Sequence, residues 1–165
     1  MMSLSQKWTM TLAQLIADFS VSGTYSDVAV EGIALDSREV QPGDLFIAIK
    51  GTASDGVTFI PQAIERGAVA VLVEKDQLVG PLLDRLIDGA NASIPVIGIE
   101  NLSEYVSDIA GVFYGDPSAK MSLTAITGTN GKTTCSRLLA ELLENLHAKE
   151  AGTAGFIGTL GYGMV

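Results

Sequence analysis

The sequence predicts an α/β protein, with an N-terminal α/β domain followed by the first βαβ part of a second domain. Two observations carry this. Short β-branched apolar runs alternate with helically spaced segments along the first part of the chain. After the turn-forming residues Gly115-Asp116-Pro117-Ser118 the alternation restarts with a strand, a glycine loop and a long amphipathic helix. The boundary is therefore placed there, giving domains 1–114 and 115–165.

The first segment, Leu12 to Phe19, has apolar residues at 12, 15, 16 and 19, a helical spacing, with Thr11 as its cap. A polar, glycine-containing stretch from Ser20 to Asp27 ends the pattern. Gly32-Ile33-Ala34-Leu35 and Leu45 to Ile49 read as strands, joined through a turn at Gln41-Pro42-Gly43-Asp44. Phe59 to Arg66 reads as a helix stopped by Gly67, and Ala68 to Val73 as a buried strand. A helix at Pro81 to Ile87 leads through Asn91-Ala92-Ser93 to the strand Pro95 to Ile99. Asn101 or Ser103 then caps a helix running toward Phe113.

Composition narrows the class. A hydrophobic fraction of 47% with 18% charged residues suits a globular protein with a buried core. Ten Lys and Arg against nineteen Asp and Glu leave a net charge of −9, which repels a phosphodiester backbone and argues against nucleic-acid binding. The single cysteine, Cys135, excludes an internal disulfide framework and a cysteine zinc cluster, as expected of a cytoplasmic protein. No run is long enough to span a bilayer, and the N-terminus lacks a signal-peptide core.

The most informative residues start at Leu123. Leu123-Thr124-Ala125-Ile126 reads as a strand, Thr127-Gly128-Thr129-Asn130-Gly131-Lys132-Thr133-Thr134 as a glycine loop, and the following segment as a helix. That helix carries Leu138, Leu139, Leu142, Leu143 and Leu146 on one face. Strand, loop and helix in this order form a phosphate-binding loop, so the second domain is expected to begin a P-loop ATPase domain. Glycines at 128 and 131 let backbone N–H groups point at phosphate oxygens above the positive end of the helix dipole. Lys132 supplies a positive charge for the β- and γ-phosphates and is the expected catalytic residue, and the Thr133 hydroxyl is the expected Mg²⁺ ligand. Gly128, Thr129, Asn130, Gly131, Lys132, Thr133 and Thr134 are thus the expected ATP contacts. The earlier glycine of the longer P-loop pattern falls on Ile126, so this is the shorter G-x-x-G-K-T form.

The stretch TGTNGKTT resembles the ATP loop of the Mur ligases, which build the peptide stem of bacterial cell-wall precursors. Leu35-Asp36-Ser37-Arg38, Pro42 to Ala48, Gly51, Asp55-Gly56, Phe59-Ile60, Ala63-Ile64 and Gly67-Ala68 resemble that family's domain for the UDP part of the substrate. The two motif groups lie roughly eighty residues apart, so chance agreement is improbable. Among the branches, the pattern is most similar to the MurE-type UDP-N-acetylmuramoyl-L-alanyl-D-glutamate:diamino-acid ligases, with the MurF type as nearest relative.

The resemblance implies that residues 1–114 bind UDP-MurNAc and that 115–165 are an incomplete central ATP-binding domain. It implies ATP and Mg²⁺ as cofactors. ATP phosphorylates the terminal carboxylate of UDP-MurNAc-L-Ala-D-Glu to an acyl phosphate, which the amine of a diamino acid, meso-diaminopimelate, then attacks. It places Leu35 and Ser37 against the uridine end. It also places Thr52, Ala53 and Ser54 where many members read His-Gln-Ala, a departure in side chain that leaves backbone contacts of that loop available.

A monomer without nucleic acid or membrane partners is expected. The family's later segments, among them the magnesium-binding acid, the carbamylated lysine and the amino-acid-binding domain, are not in these 165 residues, so this chain alone is expected to be inactive. A folylpolyglutamate-type ligase and a non-enzymatic nucleotide-sugar-binding module are the alternatives. Arg38 is read either as a diphosphate contact or as the partner of Asp36 or Glu39. Asp36 lacks a visible acid/base partner, His147 suits a helix C-terminus, Cys135 reads as a small packed residue, and Trp8 has no assignable role.

Overall fold

The computed structural model describes residues 8–19, 21, 25, 27–50, 56–78, 94–147, 154–159 and 161–164. The chain forms two compact units, Met1–Lys120 and Met121–Val165. The break falls six residues after the 114/115 boundary read from sequence. Residues 115–120 are tied back to the first unit by Asp116 N–H, which donates to Gly111 O at 2.8 Å, and within the segment Lys120 Nζ donates to Gly115 O at 2.6 Å.

The first unit is built on a four-stranded parallel sheet of β3 (Gly32–Ala34), β4 (Asp44–Ala48), β5 (Ala70–Glu74) and β6 (Val96–Ile99), in the spatial order of the sequence. Parallel strands are covered on both faces and therefore read as continuous apolar runs. Leu45, Ile47, Ala70, Leu72, Ile97 and Ile99 point into one core. Phe46, Ala48, Val71 and Val73 point into the other, as the two-residue period of a strand requires.

The first core is covered by α1 (Leu12–Leu15) and α3 (Leu102–Tyr114), through Leu12, Leu15, Leu102, Ile109 and Phe113. The second is covered by α2 (Ile60–Glu65), which follows a 3-10 turn at Gly56–Phe59, through Ile60, Ala63 and Ile64. The expected turn before β4 is present: Asp44 N–H donates to Gln41 O at 3.1 Å, and Gln41 N–H donates to Asp44 Oδ2 at 2.8 Å. Gly67 ends α2 at φ +102, and a Cβ there would lie 2.8 Å from Pro42 Cα, so both backbone sign and space call for glycine.

Several elements differ from the sequence expectation. Thr11 does cap α1, in a reciprocal box with Gln14, but the helix is one turn long and leaves helical geometry at Ile16. Phe19 reaches the core through a turn and meets Tyr105 edge-on at 5.2 Å. Met10–Thr11 (β1) pairs antiparallel with Ala29–Val30 (β2), a two-residue ladder without a sequence signal. Trp8 meets Tyr114 edge-on at 6.2 Å.

Neither Asn101 nor Ser103 caps α3 with its side chain. Asn101 is left-handed at φ 55, and the carboxylate of Glu74, at the end of β5, takes the cap position instead. It accepts the N–H groups of Leu102 (3.0 Å) and Ser103 (2.9 Å). The expected helix at Pro81 to Ile87 lies outside the described residues.

In the second unit, α4 (Lys132–His147) is followed by a hairpin of β7 (Gly155–Gly158) and β8 (Gly161–Met164) rather than by one strand. Leu123 to Ile126 forms no strand, because among the described residues no backbone pairs with it. The leucine face of α4 is largely exposed, with Leu138 at 59% and Leu146 at 68%, while Ala140 is buried. Cys135 is exposed, not packed.

Candidate nucleotide sites

Each unit carries one candidate site. In the first, β3 and β4 are parallel neighbours, with Ala34 opposite Phe46, so the loops that follow them leave from the same edge of the sheet. The carboxyl edge of a parallel sheet is where such folds place ligands. Leu35 follows β3 directly and is half exposed. Ser37, two residues on, is only 5% exposed, and its hydroxyl donates to Gln62 Oε1 on α2 at 2.6 Å. Thr52, Ala53 and Ser54 lie outside the described residues.

Between Leu35 and Ser37 the chain makes a tight turn around Asp36. Its carboxylate accepts the Arg38 backbone N–H at 2.9 Å and the Arg38 guanidinium from Nε (2.9 Å) and Nη2 (2.6 Å). Of the two readings of Arg38, the structure thus shows the ion pair with Asp36. Arg38's hydrogen bonds hold the Asp36 carboxyl at about 2, below its ordinary 3.8, and the same pair raises the Arg38 pKa. Both side chains lie at the surface, so the pair shapes the loop more than it stabilises the fold.

The second site is the loop from Thr127 to Gly131, exposed throughout, which enters α4 at Lys132. Gly131 takes φ +77, and the helix begins with Cys135 N–H donating to Gly131 O at 2.9 Å. The first-turn N–H groups of α4, those of Lys132, Thr133 and Thr134, have no acceptor within the helix and face the loop end. Lys132 Nζ reaches back to the loop and donates to Gly128 O at 2.6 Å, which holds the ammonium against the loop backbone. An anion seated on this helix end meets backbone dipoles and the lysine charge together.

Thr133 Oγ1 lies 3.3 Å from Thr159 Oγ1, just after β7. Two hydroxyl oxygens are hard donors of the kind Mg²⁺ takes alongside phosphate oxygens and water, so these residues fit that ion. Among the described residues no cluster of three or more His, Cys, Asp or Glu forms a metal site of its own. A cavity of about 490 Å³ adjoins the loop. Its lining includes the polar Lys132, Thr133 and Thr159 and the apolar Leu139, Ala140 and Leu143. Sequence reasoning missed Thr159 and Gln62, whose partners lie 26 and 25 residues away with no local signal.

Comparison with known proteins decides the relationship. A family model described as "Mur ligase family, catalytic domain" matches residues 29–114, just over half of the chain. The chain belongs to the Mur ligase family. It is 39% identical over 154 residues to the UDP-N-acetylmuramoyl-L-alanyl-D-glutamate--2,6-diaminopimelate ligase of Coxiella burnetii (strain RSA 493 / Nine Mile phase I), covering 93% of this chain and 29% of that protein. It is 42% identical over 157 residues to the ligase of the same name from Pseudomonas putida, covering 94% and 28%.

A solved structure of a UDP-N-acetylmuramoyl-L-alanyl-D-glutamate--2,6-diaminopimelate ligase superposes with a TM-score of 0.58 at 24% identity, over 95% of this chain and 29% of that one, which shows a shared fold. This Mur ligase chain therefore spans a little under a third of the length of the curated relatives it matches. No helix among the described residues is long and apolar enough to cross a membrane.

Proposed function

We propose that this Mur ligase chain supplies the UDP-MurNAc-binding domain and the ATP loop of a cytoplasmic, monomeric ligase. In this reading the ligase joins meso-diaminopimelate to UDP-MurNAc-L-Ala-D-Glu through an acyl phosphate, in peptidoglycan precursor synthesis. The observation that carries it is the loop Thr127–Gly131 leading into α4 with Lys132 Nζ folded over it, in a chain whose relatives at 39–42% identity bear that ligase's name. Residues 1–114 are assigned to the UDP substrate, with Leu35 and Ser37 at its uridine end and Thr52, Ala53 and Ser54 as further substrate contacts. Residues 115–165 are assigned to the nucleotide triphosphate.

Within the second site, the N–H groups around Gly128, Thr129, Asn130, Gly131 and Thr134 bind the phosphate chain. Lys132 leaves Gly128 O to neutralise the charge that builds on the transferred phosphoryl group, an electrostatic role realised most fully in the transition state. Thr133 is the protein ligand for Mg²⁺, which when bound screens the phosphate oxygens. Thr159, whose hydroxyl lies 3.3 Å from that of Thr133, steadies it.

The test is a chimera in which this chain replaces the matching 28% of the Pseudomonas putida ligase. ATP-dependent joining of diaminopimelate to UDP-MurNAc-L-Ala-D-Glu is expected, and its loss in the Lys132→Ala chimera. A folded chimera inert toward that dipeptide but active on another acceptor would overturn the assignment.

A further inference from the structure

The carboxyl edge of the first unit's sheet contains an unusual group. Ser37 is the one polar side chain among the described residues that is buried, and it is not buried alone. Its hydroxyl donates at 2.6 Å to Gln62 Oε1, across 25 residues of chain. Gln62 projects from the exposed side of α2, one residue before Ala63 and two before Ile64, both of which pack into the core. The amide is therefore carried on a fixed helix, while its contribution to core packing is small.

A serine hydroxyl has a single hydrogen and can turn it toward any acceptor. Here that hydrogen is committed to Gln62, so Oγ faces its remaining surroundings with lone pairs alone. We propose that Gln62 is a positioning residue that fixes Ser37 as a hydrogen-bond acceptor, so that this edge selects a base presenting an N–H. The proposal rests on the uridine reading of Ser37 given above and adds a direction to the contact. Uracil carries a hydrogen on N3, whereas cytosine N3 is a bare acceptor. Against a fixed acceptor, uracil gains a hydrogen bond and cytosine meets opposed lone pairs. Sites built on a committed polar group reject the mismatched analogue strongly, because the buried group is then left unpaired.

The test is a chemical-shift titration of the 165-residue chain with UDP and with CDP, followed at the Leu35 and Ser37 amides so that binding at the Lys132 loop does not enter the reading. Wild type is expected to prefer UDP by about tenfold or more, the value of one well-placed hydrogen bond. Gln62→Ala keeps a good helix former at an exposed position. It frees the Ser37 hydrogen to turn toward cytosine N3, so the preference falls to within about threefold, mainly through tighter CDP binding. Gln62→Glu keeps an acceptor oxygen at that position, now on a carboxylate, and retains the preference.

A role in packing alone would weaken both ligands equally and leave the ratio unchanged in every variant. If wild type shows no UDP-dependent shifts at these amides, the uridine reading falls and the proposal with it. If wild type prefers UDP and Gln62→Ala keeps the full preference, the uridine reading stands and the assignment to Gln62 is overturned. A preference for CDP in wild type would show that the amide is reversed and donates to Ser37, and this would overturn the proposal as well.

Discussion

Removing the Glu74 carboxylate isolates a contact that joins the sheet to its covering helix. Glu74 ends β5, and its two oxygens accept the N–H groups of Leu102 and Ser103 at 3.0 and 2.9 Å. No cap comes from Asn101, so Glu74→Ala leaves both donors without a side-chain acceptor. Leu102 is fully buried, and water reaches its N–H only if the start of α3 opens. Loss of an N-cap typically costs ~1 kcal/mol, and stranding a buried donor adds ~1 kcal/mol or more.

The expected destabilisation of the first unit is therefore about 2 kcal/mol, equivalent to a fall in melting temperature of about 8 °C or more for a unit of this size. Glu74→Gln keeps one acceptor oxygen and loses the charge at the positive end of the helix, and should cost roughly half as much. Trp8 provides the assay. It is the only tryptophan in the chain, and it packs edge-on against Tyr114 in the last turn of the same helix. Urea unfolding followed by its fluorescence gives the midpoint shift at an unchanged slope. A shift below ~0.5 kcal/mol for Glu74→Ala would refute the reasoning, since it would mean that solvent already serves those two N–H groups.

Three further outcomes are expected. Lys132→Ala in the chimeric ligase should lower turnover at least about a hundredfold while barely moving the ligand-free melting temperature, since an exposed lysine on a loop carbonyl stabilises little; near-normal turnover would end the phosphate-loop assignment. Arg38→Ala should raise the Asp36 pKa from about 2 toward 3.8 in an NMR titration. Because the folded value is the lower one, what the pair contributes is present above pH 3.8 and fades as pH falls toward 2, so the two proteins should differ least in strong acid. Gly67→Ala, which sets a Cβ 2.8 Å from Pro42 Cα at φ +102, should destabilise the first unit by ~3 kcal/mol or more, the backbone penalty plus the overpacking, whereas Gly131→Ala, at φ +77 with nothing within 4 Å of the added carbon, should meet only the backbone penalty of ~1–2 kcal/mol. Equal losses at the two glycines in urea titrations would show that the contact with Pro42 relaxes.

What the sequence made legible is what neighbouring residues decide among themselves. The turn at Gln41 to Asp44, the stop at Gly67 and the cap at Thr11 each depend on residues within one turn of each other, and each is present. The four parallel strands were legible for a related reason: burial on both faces leaves an unbroken apolar run that no surface segment shows. The loop before α4 is the extreme case in structure: the glycines, Lys132 and the helix start lie in one short stretch, and the helix begins where that stretch places it. Leu123 to Ile126 shows the limit of such reading. Its residues favour extension, but a strand is a relation to a partner, and no described residue pairs with it.

Caps and orientations supplied from a distance were invisible for the same physical reason. Asn101 and Ser103 have the right chemistry to cap α3, yet a carboxylate 28 residues upstream does so, because β5 ends beside the helix start and an anion outcompetes a neutral oxygen at the helix dipole. Ser37 presents the same problem at the candidate site. Its position after β3 was legible from the Asp-Ser-Arg motif, but the direction of its hydroxyl is set by Gln62, which the motif does not contain. A hydroxyl read from sequence is both donor and acceptor, and only the fold decides which half remains for a ligand. On the proposed reading, base selectivity at this edge is a property of the contact between the β3 loop and α2, and substitutions on α2 should retune it while leaving every residue of the motif in place.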